Sequence, residues 1–118
     1  MTDIHSPVMV EQKILEISNR IAKSAGSCNE RYIAFLDADR DYDRAYAKAF
    51  LAHQGPQTEK RYAAEDATYT SREARDAADA AYRYADRLSK ALQAELMAMQ
   101  SINRSLVAQF GVAGIGER

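Results

Sequence analysis

Four aspartates occupy every second position of one short stretch, where carboxylates in a suitable geometry would bind a metal ion. They are interleaved with two arginines, in the order Asp37, Asp39, Arg40, Asp41, Asp43 and Arg44. On a helix, alternate positions point about 200° apart, so four such carboxylates do not converge on one ion. The pattern therefore predicts a solvated, salt-bridged helix face and no metal site.

The two histidines and the single cysteine are equally poor candidates for catalysis or metal binding. Neither His5 nor His53 has a second ligand-type residue four positions away, as a helical zinc site would need. Cys28 has no cysteine partner and falls in an apolar repeat, which predicts a small, buried side chain. We therefore expect a protein without enzymatic activity, metal or cofactor.

Cations and aromatic residues are mixed in the second half of the chain. This combination is typical of proteins that bind single-stranded nucleic acid, because cations neutralise phosphates and rings stack on bases. The candidate nucleic-acid-binding residues are Lys60, Arg61, Arg72, Arg75, Arg83 and Arg87. Acidic residues between Glu65 and Asp86 oppose this charge, so a solvated helix face is the alternative interpretation.

Apolar residues that would position these side chains recur every seven residues on both sides of position 55. The first half has two columns: Val10, Ile17, Ser24, Arg31, Ala38, Ala45 and Ala52, and Ile14, Ile21, Cys28, Phe35, Tyr42 and Ala49. The second half has Ala64, Ser71, Ala78, Ala85, Leu92, Met99 and Leu106, and Ala67, Ala74, Ala81, Leu88, Glu95 and Ile102. Two columns spaced alternately by three and four predict a coiled-coil contact, here called the seam. Its alanines, Ala74 and Ala85 among them, are expected to be buried.

A break in this pattern lies between His53 and Thr58. Gly55 can adopt the left-handed conformation that ends a helix, and Pro56 cannot continue one. Thr58 is the predicted N-cap of the following helix. The chain is therefore predicted to be all-α, a long antiparallel helical hairpin that resembles a coiled coil.

The predicted hairpin is a single domain with two arms of similar length. Its segments are arm one at 8–53, the turn at 54–57, arm two at 58–109 and a flexible tail at 111–118, within residues 1–118. Gly26 disturbs arm one, either as a kink, as a short in-line break or as the end of a separate helix. Because arm two needs a partner along its whole length, a kink or in-line break is favoured.

Apolar residues also lie outside the predicted seam. The interface candidates are Tyr46, Phe50, Tyr62, Tyr69, Tyr82 and Tyr84. A two-helix protein without a disulfide or metal rarely stabilises itself, so we expect a homo-oligomer. The alternative is that these tyrosines merely cover the edge of the hairpin.

Length and charge restrict the cellular setting. The chain has 118 residues and a formal net charge of -1, so no global field attracts it to nucleic acid or anionic lipid. No apolar run approaches the about 20 residues of a membrane span, and the N-terminus lacks the pattern of a signal peptide. We expect a cytoplasmic protein without membrane contact.

The segment from Tyr46 to Leu106 resembles small helical proteins from the early regions of tailed phages and, more distantly, the UvsY recombination mediators of T-even phages. The shared features are Tyr46 with an alanine-lysine run, Gly55 followed by basic residues, an alanine- and charge-rich helix, and QSINR at 100–104. The resemblance implies an oligomeric protein of the host cytoplasm that binds single-stranded DNA and helps to load a recombinase. This chain departs from the family in lacking a concentrated Lys/Arg cluster.

Two functions therefore stand as hypotheses. The resemblance favours a recombination accessory or mediator protein that contacts single-stranded DNA, a recombinase, or both. The near-neutral charge favours a non-enzymatic helical protein-interaction module that does not bind nucleic acid, such as a phage adaptor, inhibitor or assembly factor.

Overall fold

The chain is all-α throughout the range that its computed structural model describes, residues 6–116, with side chains described as far as Gly111. The helices of this range are α1 (Pro7–Ala52), α2 (Gln57–Ala67) and α3 (Tyr69–Gly116). No strand occurs among these residues. The predicted all-α helical hairpin is confirmed. Within the same range, no helix combines the length and the hydropathy that a membrane span requires.

Helix α1 is continuous from its N-cap to the turn. The Ser6 hydroxyl accepts a hydrogen bond from the Met9 amide at 3.3 Å, and Pro7 occupies the first helical position, where its missing N–H costs nothing. The helix continues through Gly26, so this residue neither breaks the arm nor ends a separate helix, and a kink there stays a prediction. A glycine inside a helix costs only about 1 kcal/mol, so it does not by itself end the helix.

The turn between α1 and α2 lies at Gly55 and Pro56 as predicted, but one detail of the prediction is wrong. Gly55 has φ 139°, a conformation that residues with a Cβ rarely adopt. The N-cap of α2 is Pro56, at φ -63° and ψ 158°, so the prediction that Thr58 is the N-cap is wrong. Proline already holds the required extended conformation, and its carbonyl accepts the first helical hydrogen bond, from the Lys60 amide at 3.0 Å.

A second interruption separates α2 from α3 at Thr68, where the sequence pattern predicted a continuous arm. The Thr68 hydroxyl donates a hydrogen bond to the Ala64 carbonyl at 2.6 Å, and the Thr68 amide donates to the same oxygen at 3.0 Å. A threonine hydroxyl that bonds back four residues competes with the helical ladder and often bends it. Thr68 is only 2% exposed, so this bond also satisfies a buried hydroxyl.

The last helix extends further than predicted. α3 ends at Gly116, whereas the sequence predicted the end of the arm at residue 109 and a tail at 111–118. Residues 117 and 118 lie outside the described residues. The glycines of this end therefore do not prevent helix formation, which agrees with the modest cost of glycine in a helix.

The first compact unit of the structure consists of residues 1–26 and 87–118. Its buried apolar residues are Val10, Ile17 and Leu92. The hydroxyls of Ser24 and Ser89 lie 3.3 Å apart, and Lys13 Nζ lies 3.9 Å from a carboxylate oxygen of Glu95. These contacts join α1 to α3 as an antiparallel pair within this unit.

The second compact unit consists of residues 27–86. Its buried residues are Ala64, Thr68 and Ala85. The rings of Tyr32 and Tyr82 pack with centroids 5.1 Å apart, and an Arg75 nitrogen lies 3.9 Å from an Asp39 oxygen. Within this unit, α1 likewise packs antiparallel to the returning arm.

The seam of the second arm differs by one residue from the prediction in one of its two columns. The column that contains Ala64, Ala85 and Leu92 is buried or half-buried as expected. In the other column, Ala67, Ala74 and Leu88 are exposed, whereas Ala81, Glu95 and Ile102 are half-buried. The adjacent column is buried or half-buried throughout and consists of Thr68, Arg75, Tyr82, Ser89, Leu96 and Asn103. The sequence reasoning chose the more apolar of two adjacent columns, whereas several polar residues of the true column find partners within the hairpin.

Substituting Gly55 by alanine is expected to destabilise the hairpin by about 1–3 kcal/mol, because alanine strains the backbone at this φ. An added Cβ would also lie 2.6 Å from a carboxylate oxygen of Glu59, which must move. The control is Gly26→Ala, where an added Cβ meets nothing within 4 Å and the helix gains about 0.5–1 kcal/mol. Urea unfolding followed by circular dichroism measures both effects, and a destabilised Gly26→Ala variant would contradict the account of α1.

Candidate interaction surface at the hairpin turn

A row of aromatic rings runs along α1 toward the turn. Tyr42, Tyr46 and Phe50 are four residues apart, so they lie on one helical face. The ring centroids of Tyr42 and Tyr46 are 6.1 Å apart, and those of Tyr46 and Phe50 are 6.3 Å apart with the rings stacked. Such contacts hold the rings in fixed positions, each pair contributing about 0.5–1.5 kcal/mol beyond burial.

Cations from the second arm cover these and neighbouring rings. Lys60 Nζ lies 5.7 Å from the centroid of Phe50, and the Arg75 guanidinium lies 4.5 Å from that of Tyr42. The Arg61 guanidinium lies 5.1 Å from the ring of its own neighbour, Tyr62. Each contact is worth about 0.5–2 kcal/mol, depending on how far the charge is removed from water.

Two open pockets flank Tyr46 and Phe50. One, of about 220 Å³, is lined by Tyr46, Phe50, Gln57, Thr58 and Arg61. The other, of about 390 Å³, is lined by Tyr46, Ala47, Phe50 and Leu51. We call this region the turn surface, in which an apolar pocket is lined by the cation Arg61; it consists of Tyr46, Phe50, Leu51, Arg61 and Tyr62.

The six candidate nucleic-acid-binding residues do not form one basic cluster. Lys60, Arg61 and Arg75 cover aromatic rings, as described above. Arg75 also lies 3.3 Å from a carboxylate oxygen of Asp76, and Arg83 Nε donates a hydrogen bond to Asp79 at 3.0 Å. Arg72 and Arg87 are exposed. Two of the six, Arg75 and Arg83, are therefore neutralised by carboxylates of the same chain.

The six interface candidates divide into three groups. Tyr82 packs against Tyr32 in the seam, while Tyr46 and Phe50 are half-buried in the aromatic row. The exposed members are Tyr62, Tyr69 and Tyr84, with 58%, 63% and 69% of their surface exposed. The sequence reasoning missed Leu51, which is 77% exposed beside Phe50; the signal was an apolar residue outside both heptad columns.

Of the residues considered for metal binding or catalysis, His5 lies outside the described residues, and the others lie within them. No group of three or more His, Cys, Asp or Glu residues that would hold a metal occurs in the described part of the chain. Asp37 pairs with Arg40 at 3.1 Å, as the salt-bridged face predicted. His53 Nε2 lies 4.0 Å from a Glu59 oxygen at the turn, and Cys28 is half-buried on α1.

Comparisons with known proteins do not assign the chain to a family. No protein-family model, curated protein or solved structure matches it. The functional argument therefore depends on the residues described above.

The position of Arg75 predicts a structural role. Arg75→Ala removes a cation–ring contact and an ion pair from a half-buried site, so it should lower the free energy of unfolding by about 1–2 kcal/mol. Arg72→Ala, one turn earlier and exposed, should change it by less than about 0.5 kcal/mol. Parallel urea titrations provide the measurement, and equal effects of the two substitutions would contradict the structural role of Arg75.

Proposed function

We propose that the chain is a helical protein-interaction module that acts as a homo-oligomer in the cytoplasm. The observation that supports this proposal is the number of large apolar side chains that the seam leaves in water. Leu15, Leu51, Tyr84, Met97 and Val107 are each more than 60% exposed. Leu51 shares a pocket with the rings of Tyr46 and Phe50, and contiguous apolar surface of this kind marks sites of protein contact.

The turn surface is the site that we assign to a different protein partner. Its rings are already ordered by their neighbours, so binding costs little side-chain entropy there. Aromatic residues in a pocket beside an arginine have the composition of an interface hot spot. The occupant that fits is an apolar side chain of a partner protein, flanked by a carboxylate that approaches Arg61.

A capture experiment with matched variants tests this assignment. Immobilised protein should retain a stoichiometric partner from a lysate of the cells in which it is expressed naturally. Leu51→Ser should weaken binding of the purified partner at least about tenfold, because it removes an aliphatic wall of the pocket. Val107→Ser is the control, since Val107 is also exposed, at 61%, but does not line either pocket.

The partner is then purified and titrated calorimetrically against the wild type and both variants. Equal affinities for Leu51→Ser and wild type would move the partner site away from the turn surface. Loss of affinity with Val107→Ser alone would likewise place the partner site away from the turn surface. If no partner is retained at stoichiometric amounts, the proposal reduces to self-association.

A second candidate function is that of a recombination accessory protein that contacts single-stranded DNA. It is supported by the resemblance to phage recombination mediators and by one geometric observation. Arg61 covers the exposed ring of Tyr62, and the exposed Tyr69 and Arg72 follow along the same arm. A guanidinium beside a ring suits a phosphate and a stacked base, and a recombinase is the second partner of this proposal.

Fluorescence anisotropy with a labelled oligonucleotide at low salt tests the DNA hypothesis. Binding should weaken with salt, with a log–log slope of about -0.7 per phosphate neutralised. Tyr62→Ala should cost about 1–3 kcal/mol through lost stacking. Arg20→Gln, an exposed cation of α1, serves as the control and should have little effect. No binding at tens of micromolar protein would leave the protein-interaction module as the better proposal.

A further inference from the structure

The segment that forms the turn of the hairpin is positively charged, although the chain as a whole is not. Four cations and one carboxylate lie between Arg44 and Tyr62, which gives this segment a formal charge of +3. The whole chain carries -1, so the remaining residues together carry -4. The charged residues of the segment are Arg44, Lys48, Glu59, Lys60 and Arg61. A local field of this kind favours partners of opposite charge and guides their approach.

The single carboxylate of this segment lies at the turn and not in either pocket. Glu59 is the third residue of α2, a position from which glutamate often accepts a hydrogen bond from the amide of the N-cap. The N-cap here is Pro56, which has no N–H. Glu59 instead lies against Gly55, and a carboxylate oxygen of Glu59 is 4.0 Å from His53 Nε2. The two pockets of the turn surface are therefore lined without any carboxylate.

Cations border the larger of these pockets on two sides. The lining of this pocket is wholly apolar or aromatic and consists of Tyr46, Ala47, Phe50 and Leu51. Arg44 and Lys48 lie on the side of Leu51, because successive helical residues are 100° apart around the axis, and both are exposed. Arg61 lies on the other side, where it lines the smaller pocket together with Tyr46 and Phe50.

The smaller pocket contains the hydrogen-bond donors that a carboxylate needs. Besides the two rings, it is lined by Gln57, Thr58 and Arg61, whose side chains carry an amide, a hydroxyl and a guanidinium. A guanidinium binds a carboxylate through two parallel hydrogen bonds. The Arg61 guanidinium also lies 5.1 Å from the ring of Tyr62, a contact that orients it and leaves its charge in place.

We propose that the turn surface binds an acidic peptide segment of a different protein. A bulky apolar side chain of this segment occupies the larger pocket, and a neighbouring carboxylate binds Arg61 in the smaller one. Further carboxylates of the segment lie beside Arg44 and Lys48. The proposal rests on the protein-interaction function proposed above and names the chemistry of the partner.

An acidic peptide fits this surface better than a nucleic acid does. A pocket lined only by apolar and aromatic side chains accommodates an aliphatic or aromatic side chain, whereas a phosphate backbone follows an extended row of cations. The positive segment is short, because Asp43 precedes it and Glu65 follows it. Its charges therefore surround an apolar pocket instead of forming a long basic groove.

Fluorescence anisotropy with three labelled peptides tests the chemistry of the partner. The first peptide has about 12 residues, with two leucines four positions apart and glutamate at most other positions. The second has lysine in place of the glutamates, and the third has serine in place of the leucines. At low salt the first should bind with a dissociation constant below about 100 micromolar, at least about tenfold tighter than either of the others.

Variants of the protein locate this binding on the turn surface. Lys48→Glu and Arg61→Glu should each weaken binding of the first peptide about three- to tenfold, and less at high salt, because each reverses a cation beside the pockets. Leu51→Ser should weaken it about tenfold by removing an apolar wall. Lys23→Glu is the matched control, an equal change of charge at an exposed lysine of the first compact unit, and should change affinity less than about twofold. Circular dichroism checks that every variant keeps the helical content of the wild type.

The peptide results decide whether the partner segment is both acidic and apolar. Equal binding of the lysine peptide or the serine peptide overturns the proposal, as does absence of binding by the first peptide up to about 1 millimolar. Equal weakening by Lys23→Glu and Lys48→Glu also overturns it. A labelled oligothymidylate of about 12 nucleotides that binds more tightly than the first peptide overturns it in favour of nucleic acid.

The purified natural partner separates this proposal from the function on which it rests. Binding that is weakened by Leu51→Ser but not by Lys48→Glu or Arg61→Glu keeps the turn surface as the partner site and overturns the acidic segment alone. Binding that Leu51→Ser leaves unchanged overturns both. Weakening by all three substitutions, with no effect of Lys23→Glu, supports an acidic segment bound at the turn surface.

Discussion

A helix that packs against one neighbour buries only one stripe of its surface, and this constraint limits how much apolar surface the hairpin can bury. The seam between α1 and the returning arm buries few large side chains completely, with Val10 and Ile17 the largest in the described residues. Many apolar residues therefore remain in water, and the free energy available from one seam is small for a chain of this length. The contacts proposed above, between copies or with another protein, would add to this free energy.

Polar residues hold the two arms in register because they occupy seam positions and have partners there. The Ser24 and Ser89 hydroxyls meet in one unit, while Arg75 meets Asp39 and the ring of Tyr42 in the other. A slip along the seam would separate these groups and leave them partly desolvated without partners. Apolar side chains alone tolerate such a slip, since one leucine or alanine replaces another at similar cost. Polar seam residues of this kind can specify one alignment where an apolar seam would allow several.

The same polarity explains which parts of the fold the sequence predicts. The hairpin and the turn at Gly55 follow from strong local signals, a glycine followed by a proline between two heptad-patterned segments. The displaced column of the second arm does not follow from local signals. Arg75, Ser89 and Asn103 belong to residue types that usually lie at the surface, so their burial depends on the surrounding structure. Thr68 likewise breaks the arm through a bond from its own side chain, which a pattern of apolar residues cannot reveal. The aromatic row was predictable as an apolar excess near the turn, but the pocket that it shares with Gln57, Thr58 and Arg61 depends on how α2 leaves Pro56.

The distribution of charge bears on the choice between the two proposed functions. Arg75 and Arg83 lie beside carboxylates of the same chain, so the positive field that reaches solvent from the second arm is weaker than the number of its cations suggests. A surface that binds nucleic acid concentrates one sign of charge, whereas the cations of the second arm are interleaved with carboxylates along the same helix. This mixture of signs supports a protein over a polyanion as the partner proposed for the turn surface.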